Sequence, residues 1–94
     1  MRFSICNEMF GESPLDGVCG VAAEIGYTGV EIAPFILCDS VTDLTADDRA
    51  AIRRTVTSHG LSVTGLHWLL IKPAGLHMTT PDDDLRRRTR DYFV

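Results

Sequence analysis

The amino-acid sequence predicts an α/β domain that corresponds to the opening βαβαβα part of a (β/α)8 barrel, the TIM barrel. Short apolar segments alternate with amphipathic segments along the whole chain. The predicted strand starts, near residues 2, 29 and 62, are 27 and 33 residues apart. This spacing is typical of successive βα units in a barrel of about 250 residues. Three units cannot close a barrel, so we expect residues 1–94 to form a single, incomplete domain with a bare sheet edge.

The first unit is predicted from residues 3–6, a short apolar strand, and from the segment that follows it. Ser13 has the residue type of a helix N-cap, and Pro14 suits the first helical position. Gly26 gives the helix a C-terminal stop. One helical face is apolar, with the i, i+3, i+4 and i+7 spacing: Leu15, Val18, Cys19 and Ala22.

The second unit combines a strand over residues 29–32 with a helix that begins after Thr45. Thr45 is predicted to be its N-cap, Asp47 and Asp48 lie in its first turn, and Gly60 ends it. The third unit combines a strand over residues 61–69 with a last helix. Its cap is predicted at Thr80, followed by a proline and acidic residues. The apolar face of this helix consists of Leu85, Thr89, Tyr92 and Phe93.

Four side chains near the ends of the predicted strands are candidates for a functional site: Glu8, Glu31, His67 and Trp68. The carboxyl ends of the strands carry the active site in a (β/α)8 barrel. Glu31 either accepts a hydrogen bond from a substrate hydroxyl or forms a structural ion pair with Arg2. His67, which is expected to share a strand face with Val63, suits a metal ligand, a general acid or base, or a core histidine. Trp68 stacks on a substrate or packs against a helix.

Composition argues against several classes of partner. A net charge of −4 and a pI of about 5.1 give no basic face for nucleic acid or for an anionic membrane. No segment approaches the length of a membrane span, and the N-terminus lacks the apolar core of a signal peptide. The cysteines at positions 6, 19 and 38 match no metal-binding spacing and are interpreted as reduced thiols. We therefore expect a cytoplasmic protein.

Three segments carry a resemblance to a known family: FSICNEMF, GYTGVEIAPF and GLHWLL, in this order. They resemble the N-terminal third of the sugar phosphate isomerase/epimerase family, within the xylose isomerase-like barrel superfamily. The resemblance implies an isomerase or epimerase that moves a proton beside the carbonyl of a sugar or sugar phosphate. It implies a divalent metal (Mn, Mg or Co) for the full-length family member, with metal ligands and catalytic carboxylates on later strands.

By the same resemblance, Glu8, Glu31, His67 and Trp68 match positions in the wall of the substrate pocket. No catalytic residue and no metal ligand is carried over to this chain. We expect residues 1–94 alone to bind no metal tightly and to turn over no sugar, because their strand ends offer Glu8, Glu31 and His67 at most.

Two alternative functions remain. A related branch of the superfamily contains zinc-dependent endonucleases that act on abasic sites, and a metal-binding histidine after the third strand would fit His67. The other alternative is a truncated α/β domain without catalytic activity. Exposed edges of an incomplete barrel would also favour a homo-oligomer.

Overall fold

The structure, a computed structural model, describes all 94 residues and has a three-stranded parallel sheet. The strands β1 (Ser4–Cys6), β2 (Gly29–Ile32) and β3 (Ser62–Leu66) lie in the order β1-β2-β3. The helices α1 (Leu15–Ile25), α2 (Ala46–Ser58) and α3 (Asp83–Tyr92) each follow one strand. The predicted α/β class, element order and parallel pairing are therefore confirmed, although β1 and β3 are shorter than predicted.

The hydrophobic core lies between one face of β2 and the first two helices. Val30 and Ile32 of β2 point to this face, and Val30 is fully buried. Cys19 and Ala22 of α1 and Val56 of α2 complete the core cluster together with Leu61. Because strand side chains alternate, Gly29 and Glu31 of β2 belong to the opposite face of the sheet.

A β-bulge in β3 changes which residues share a face. Val30 pairs with Val63, but Glu31 pairs with Gly65, so Thr64 is an extra residue. Val63 consequently lies on the helix side, next to Leu66 and Ile32. The prediction that His67 shares a face with Val63 is wrong, because the bulge reverses the alternation between the two residues.

The helix-side face of β3 is left partly uncovered by α3. Val63 and Leu66 of β3 are 44% and 54% exposed. Instead, α3 is held to the loops: Thr89 Oγ1 accepts a hydrogen bond from His77 N at 2.9 Å, and the Tyr92 hydroxyl donates to the Lys72 carbonyl at 3.1 Å. In the strand order β1-β2-β3, β3 pairs only with β2, so its other edge has no strand partner. None of the helices has the length and apolar character needed to cross a bilayer.

The structure confirms the predicted N-cap of one of the three helices, α2. Thr45 caps α2, where its hydroxyl accepts from Asp48 N at 3.1 Å and the Asp48 carboxylate accepts from Thr45 N at 2.9 Å. Ser13 does not cap α1: extended Pro14 stands at the N-cap, and the Ser13 hydroxyl donates to the Phe10 carbonyl. The cap of α3 is Asp82 rather than Thr80, because the Asp82 carboxylate accepts from two backbone amides.

Replacing Thr45 with alanine is expected to lower the free energy of unfolding by about 1 kcal/mol, whereas Thr45→Ser keeps the acceptor and most of the stability.

Hydrogen bonds from the Thr45 hydroxyl and backbone lower the pKa of Asp48. A carboxyl whose pKa is lower in the folded state stabilises the fold above its unfolded pKa. The Thr45→Ala effect should therefore shrink as the pH falls through the lowered pKa of Asp48. Urea denaturation followed by circular dichroism at several pH values measures both effects; a constant difference across the acid range would contradict this explanation.

Candidate functional site

The carboxyl ends of the three parallel strands bring the predicted site residues to one edge of the sheet. Glu8 lies in the 3-10 turn Asn7–Phe10 that directly follows β1. Glu31 lies within β2, on the face opposite the core. His67 follows β3, and its backbone N–H donates to the Ile32 carbonyl at 2.7 Å, which extends the strand pairing by one residue. We call Glu8, Glu31, His67 and Trp68 the rim.

The imidazole of His67 lies between two carboxylates. Its Nε2 is 3.5 Å from Glu8 Oε2, and its Nδ1 is 3.4 Å from Glu31 Oε2. Glu31 and His67 therefore point to the same side of the sheet, and the Glu31 carboxylate contacts His67 rather than Arg2. The side chains of His67, Glu8 and Glu31 are 31%, 37% and 40% exposed, so a dissolved ligand can reach them.

Trp68 completes the rim as an exposed aromatic side chain. Its indole is stacked on the His67 ring, with centroids 5.0 Å apart and planes inclined by 15°. The residue is 58% exposed, so it does not pack into the core. Its φ of 50° is in the left-handed region, which is uncommon for a bulky residue and costs about 1–3 kcal/mol. Such strain is concentrated at functional sites in proteins.

Asn7, which precedes Glu8, is a buried residue that supports the rim. It is only 2% exposed, and its Oδ1 accepts a hydrogen bond from Ala33 N at 2.6 Å. This bond joins the end of β1 to the end of β2. Asn7 therefore has a buried structural role.

Cys6 is the site residue that the sequence did not single out. Its Sγ, a carboxylate oxygen of Glu8 and a ring nitrogen of His67 all lie within 4.8 Å of one another. Burial raises the pKa of the Cys6 thiol; a hydrogen bond with the Glu8 backbone opposes the rise, and the negative charges of Glu31 and Glu8 add to it. The alternation along β1 could have revealed this position, because Ile5 packs against the core and Cys6 must face the other way.

These donors do not fit every metal that the resemblance implies. Mg²⁺ and Mn²⁺ favour carboxylate, carbonyl and water oxygens. The group offers one carboxylate, one imidazole and one thiol, and Glu31 is not part of it. A site for Mg²⁺ or Mn²⁺ is therefore not formed by these side chains.

The remaining histidines and the acidic run lie outside the rim. His59 Nε2 is 2.9 Å from Asp16 Oδ1, which joins the end of α2 to α1. His77 Nδ1 accepts from Thr79 N at 3.1 Å within a loop. Asp82 is used as a helix cap, and the next two residues form ion pairs with arginines of α3: Asp83 with Arg86 and Asp84 with Arg87.

No family model, no curated protein and no solved structure matches the chain. A functional hypothesis for this chain therefore depends on the rim geometry and on the resemblance of three short segments.

Proposed function

We propose that this chain forms the substrate-binding wall of a (β/α)8-barrel isomerase or epimerase that acts on a sugar or sugar phosphate. The observation that carries this proposal is the His67 imidazole between the carboxylates of Glu8 and Glu31, beside the exposed Trp68 indole. The barrel itself is supported by the parallel pairing of consecutive strands, since neighbours in a barrel follow one another in the chain.

The rim offers the contacts that a sugar needs. The carboxylates of Glu8 and Glu31 accept hydrogen bonds from hydroxyl groups, and these bonds to charged acceptors are strong. His67 can donate or accept beside them. The exposed face of the Trp68 indole is an apolar surface against which the C–H face of a sugar ring can pack.

Catalytic turnover requires groups that this substrate-binding wall does not provide. Proton transfer beside a carbonyl needs an acid and a base within hydrogen-bond reach of the substrate. Glu8 and Glu31 both lie against the same imidazole ring, so they do not stand on opposite sides of a bound sugar. In the proposed enzyme, the opposing groups and the Mn, Mg or Co ion would come from later strands, as the resemblance implies. This chain contributes binding and orientation.

Fluorescence of the single tryptophan tests the binding role directly, because Trp68 belongs to the rim. Titration with ketoses and ketose phosphates is expected to give a saturable change in the purified 94-residue chain. Glu31→Gln and His67→Asn should weaken it, because the first removes a charged acceptor and the second removes the imidazole. Glu24→Gln, at an exposed position of α1, is the matched control and should leave it unchanged.

An epimerase assay on the same chain is expected to show no turnover of a ketose. Sugar titrations that give no saturable change, or equal binding by Glu31→Gln, His67→Asn and the parent chain, would contradict the proposed wall. Measurable turnover would show that the chain is an enzyme by itself.

A second candidate function is an endonuclease of the related branch. The grouping of His67 with Cys6 and Glu8 as potential metal ligands favours it, and the net charge of −4 opposes it, since DNA binding depends on neutralising phosphates. Incubating the chain and zinc with duplex DNA that contains an abasic site distinguishes the two candidate functions. The sugar proposal expects intact DNA, and strand cleavage that is lost in His67→Asn would favour the endonuclease.

A further inference from the structure

We propose that Cys6, Glu8 and His67 bind one zinc ion at the carboxyl ends of β1 and β3. Their potential ligand atoms lie within 4.8 Å of one another, and all three side chains are half-buried. They come from two chain segments that the sheet brings together, which is a common way to assemble a metal site. The inference concerns metal binding alone and does not depend on the sugar proposal.

The distances suit a small tetrahedral site. Zinc binds sulfur at about 2.3 Å, and nitrogen and oxygen at about 2.0–2.2 Å, so neighbouring ligand atoms are about 3.3–3.6 Å apart. Glu8 Oε2 and His67 Nε2 already have this separation, at 3.5 Å. The Cys6 sulfur, which lies within 4.8 Å of the other two ligand atoms, must approach them by at most about 1 Å to reach the same spacing. Rotation of partly exposed side chains can supply such a movement.

Glu31 orients His67 for this role. A histidine that binds a metal through one ring nitrogen usually donates its other N–H to a carboxylate, which fixes the tautomer and the ring direction. His67 Nδ1 is 3.4 Å from Glu31 Oε2, while Nε2 faces Glu8. The tautomer that carries its proton on Nδ1 leaves the lone pair of Nε2 free to bind the ion.

The ligand set selects zinc over the hard cations. A thiolate and an imidazole favour zinc and disfavour Mg²⁺, Ca²⁺ and Mn²⁺. Three protein ligands with solvent access leave a fourth tetrahedral position open for water or for an oxygen of a bound molecule. The expectation from sequence, that this chain binds no metal tightly, counted Glu8, Glu31 and His67 and did not include the thiol of Cys6.

Metal titrations of the purified chain test this site. Native mass spectrometry and calorimetry are expected to find one Zn²⁺ per chain, which an equal concentration of Mg²⁺ does not displace. Co²⁺ should give a near-ultraviolet thiolate-to-cobalt charge-transfer band that Cys6→Ser abolishes. Glu31→Gln should weaken zinc binding by about 10–100-fold, and Glu8→Gln and His67→Asn should weaken it further. Cys38→Ser, at another half-buried free cysteine, is the matched control and should retain both the band and the affinity.

Three results would overturn the site. The first is the absence of zinc binding by the parent chain. The second is zinc binding by Cys6→Ser, Glu8→Gln and His67→Asn that equals binding by the parent chain. The third is a charge-transfer band that is lost in Cys38→Ser and kept in Cys6→Ser. If Cys6→Ser fails to fold, as judged by circular dichroism, alkylation of the parent chain decides instead. Zinc should protect Cys6 and leave Cys38 reactive, and equal reactivity of Cys6 with and without zinc would contradict the proposal.

Discussion

Replacing Gly29 with alanine is expected to lower the free energy of unfolding by about 1–3 kcal/mol, the usual cost of overpacking a tight site. A Cβ at this position of β2 would lie 2.5 Å from Thr64 Cγ2 and 3.1 Å from the Ser62 carbonyl oxygen. The carbonyl belongs to the neighbouring strand and cannot rotate away. The Thr64 side chain is held in turn, because its hydroxyl is 2.7 Å from Ser4 Oγ across the sheet.

A double substitution identifies the cause of this loss. Thr64→Ser removes the methyl group and keeps the hydroxyl that bonds to Ser4, so it should recover part of the stability lost in Gly29→Ala. Gly17→Ala is the matched control: it lies in α1, where a methyl group would have no neighbour within 4 Å, and alanine there should add about 0.5–1 kcal/mol. Urea denaturation of the parent chain, the two single variants and the double variant gives the coupling energy. A Gly29→Ala chain as stable as its parent would show that the sheet can open at this point.

Replacing Asn7 with alanine is expected to lower the free energy of unfolding by a similar amount. The substitution removes the acceptor for Ala33 N, which is a buried donor with a 2.6 Å hydrogen bond. An unpaired buried donor costs about 1–3 kcal/mol. Since this bond joins the ends of β1 and β2, the loss should also disturb the positions of Glu8 and Glu31.

Ser13→Ala is the control variant, because Ser13 lies in the same connection between β1 and α1 as Asn7. Its hydroxyl also bonds to a backbone group, but the residue is exposed, so the change should stay within about 0.5 kcal/mol. Chemical denaturation measures both variants, and zinc or sugar titration reports whether the rim has moved. Equal stabilities for Asn7→Ala and Ser13→Ala would contradict the structural role of Asn7.

Local sequence patterns predicted much of this fold. Alternating strand and helix signals indicated the three βα units, and the rule that parallel strands end at one edge placed Glu8, Glu31 and His67 together. The cap of α2 also follows from local chemistry, because Thr45 and Asp48 satisfy each other's backbone amides.

Features that depend on tertiary pairing were not predicted. The bulge at Thr64 arises from the register between β2 and β3, which no local pattern in β3 specifies. The role of Asn7 depends on the position of Ala33, which is distant in sequence. Alternation along β1 places Cys6 on the face opposite Ile5, but its grouping with His67 depends on a residue that is distant in sequence.

Nuclear magnetic resonance offers the most direct test of the central claim, that the rim of Glu8, Glu31, His67 and Trp68 binds a sugar. A ketose phosphate would be added to the ¹⁵N-labelled chain while the indole N–H of Trp68 and the ring nitrogens of the three histidines are followed. We predict saturable shifts for Trp68 and His67, with His59 and His77 unchanged because they lie outside the rim. Shifts that spare Trp68 and His67, or that affect all three histidines alike, would contradict the claim.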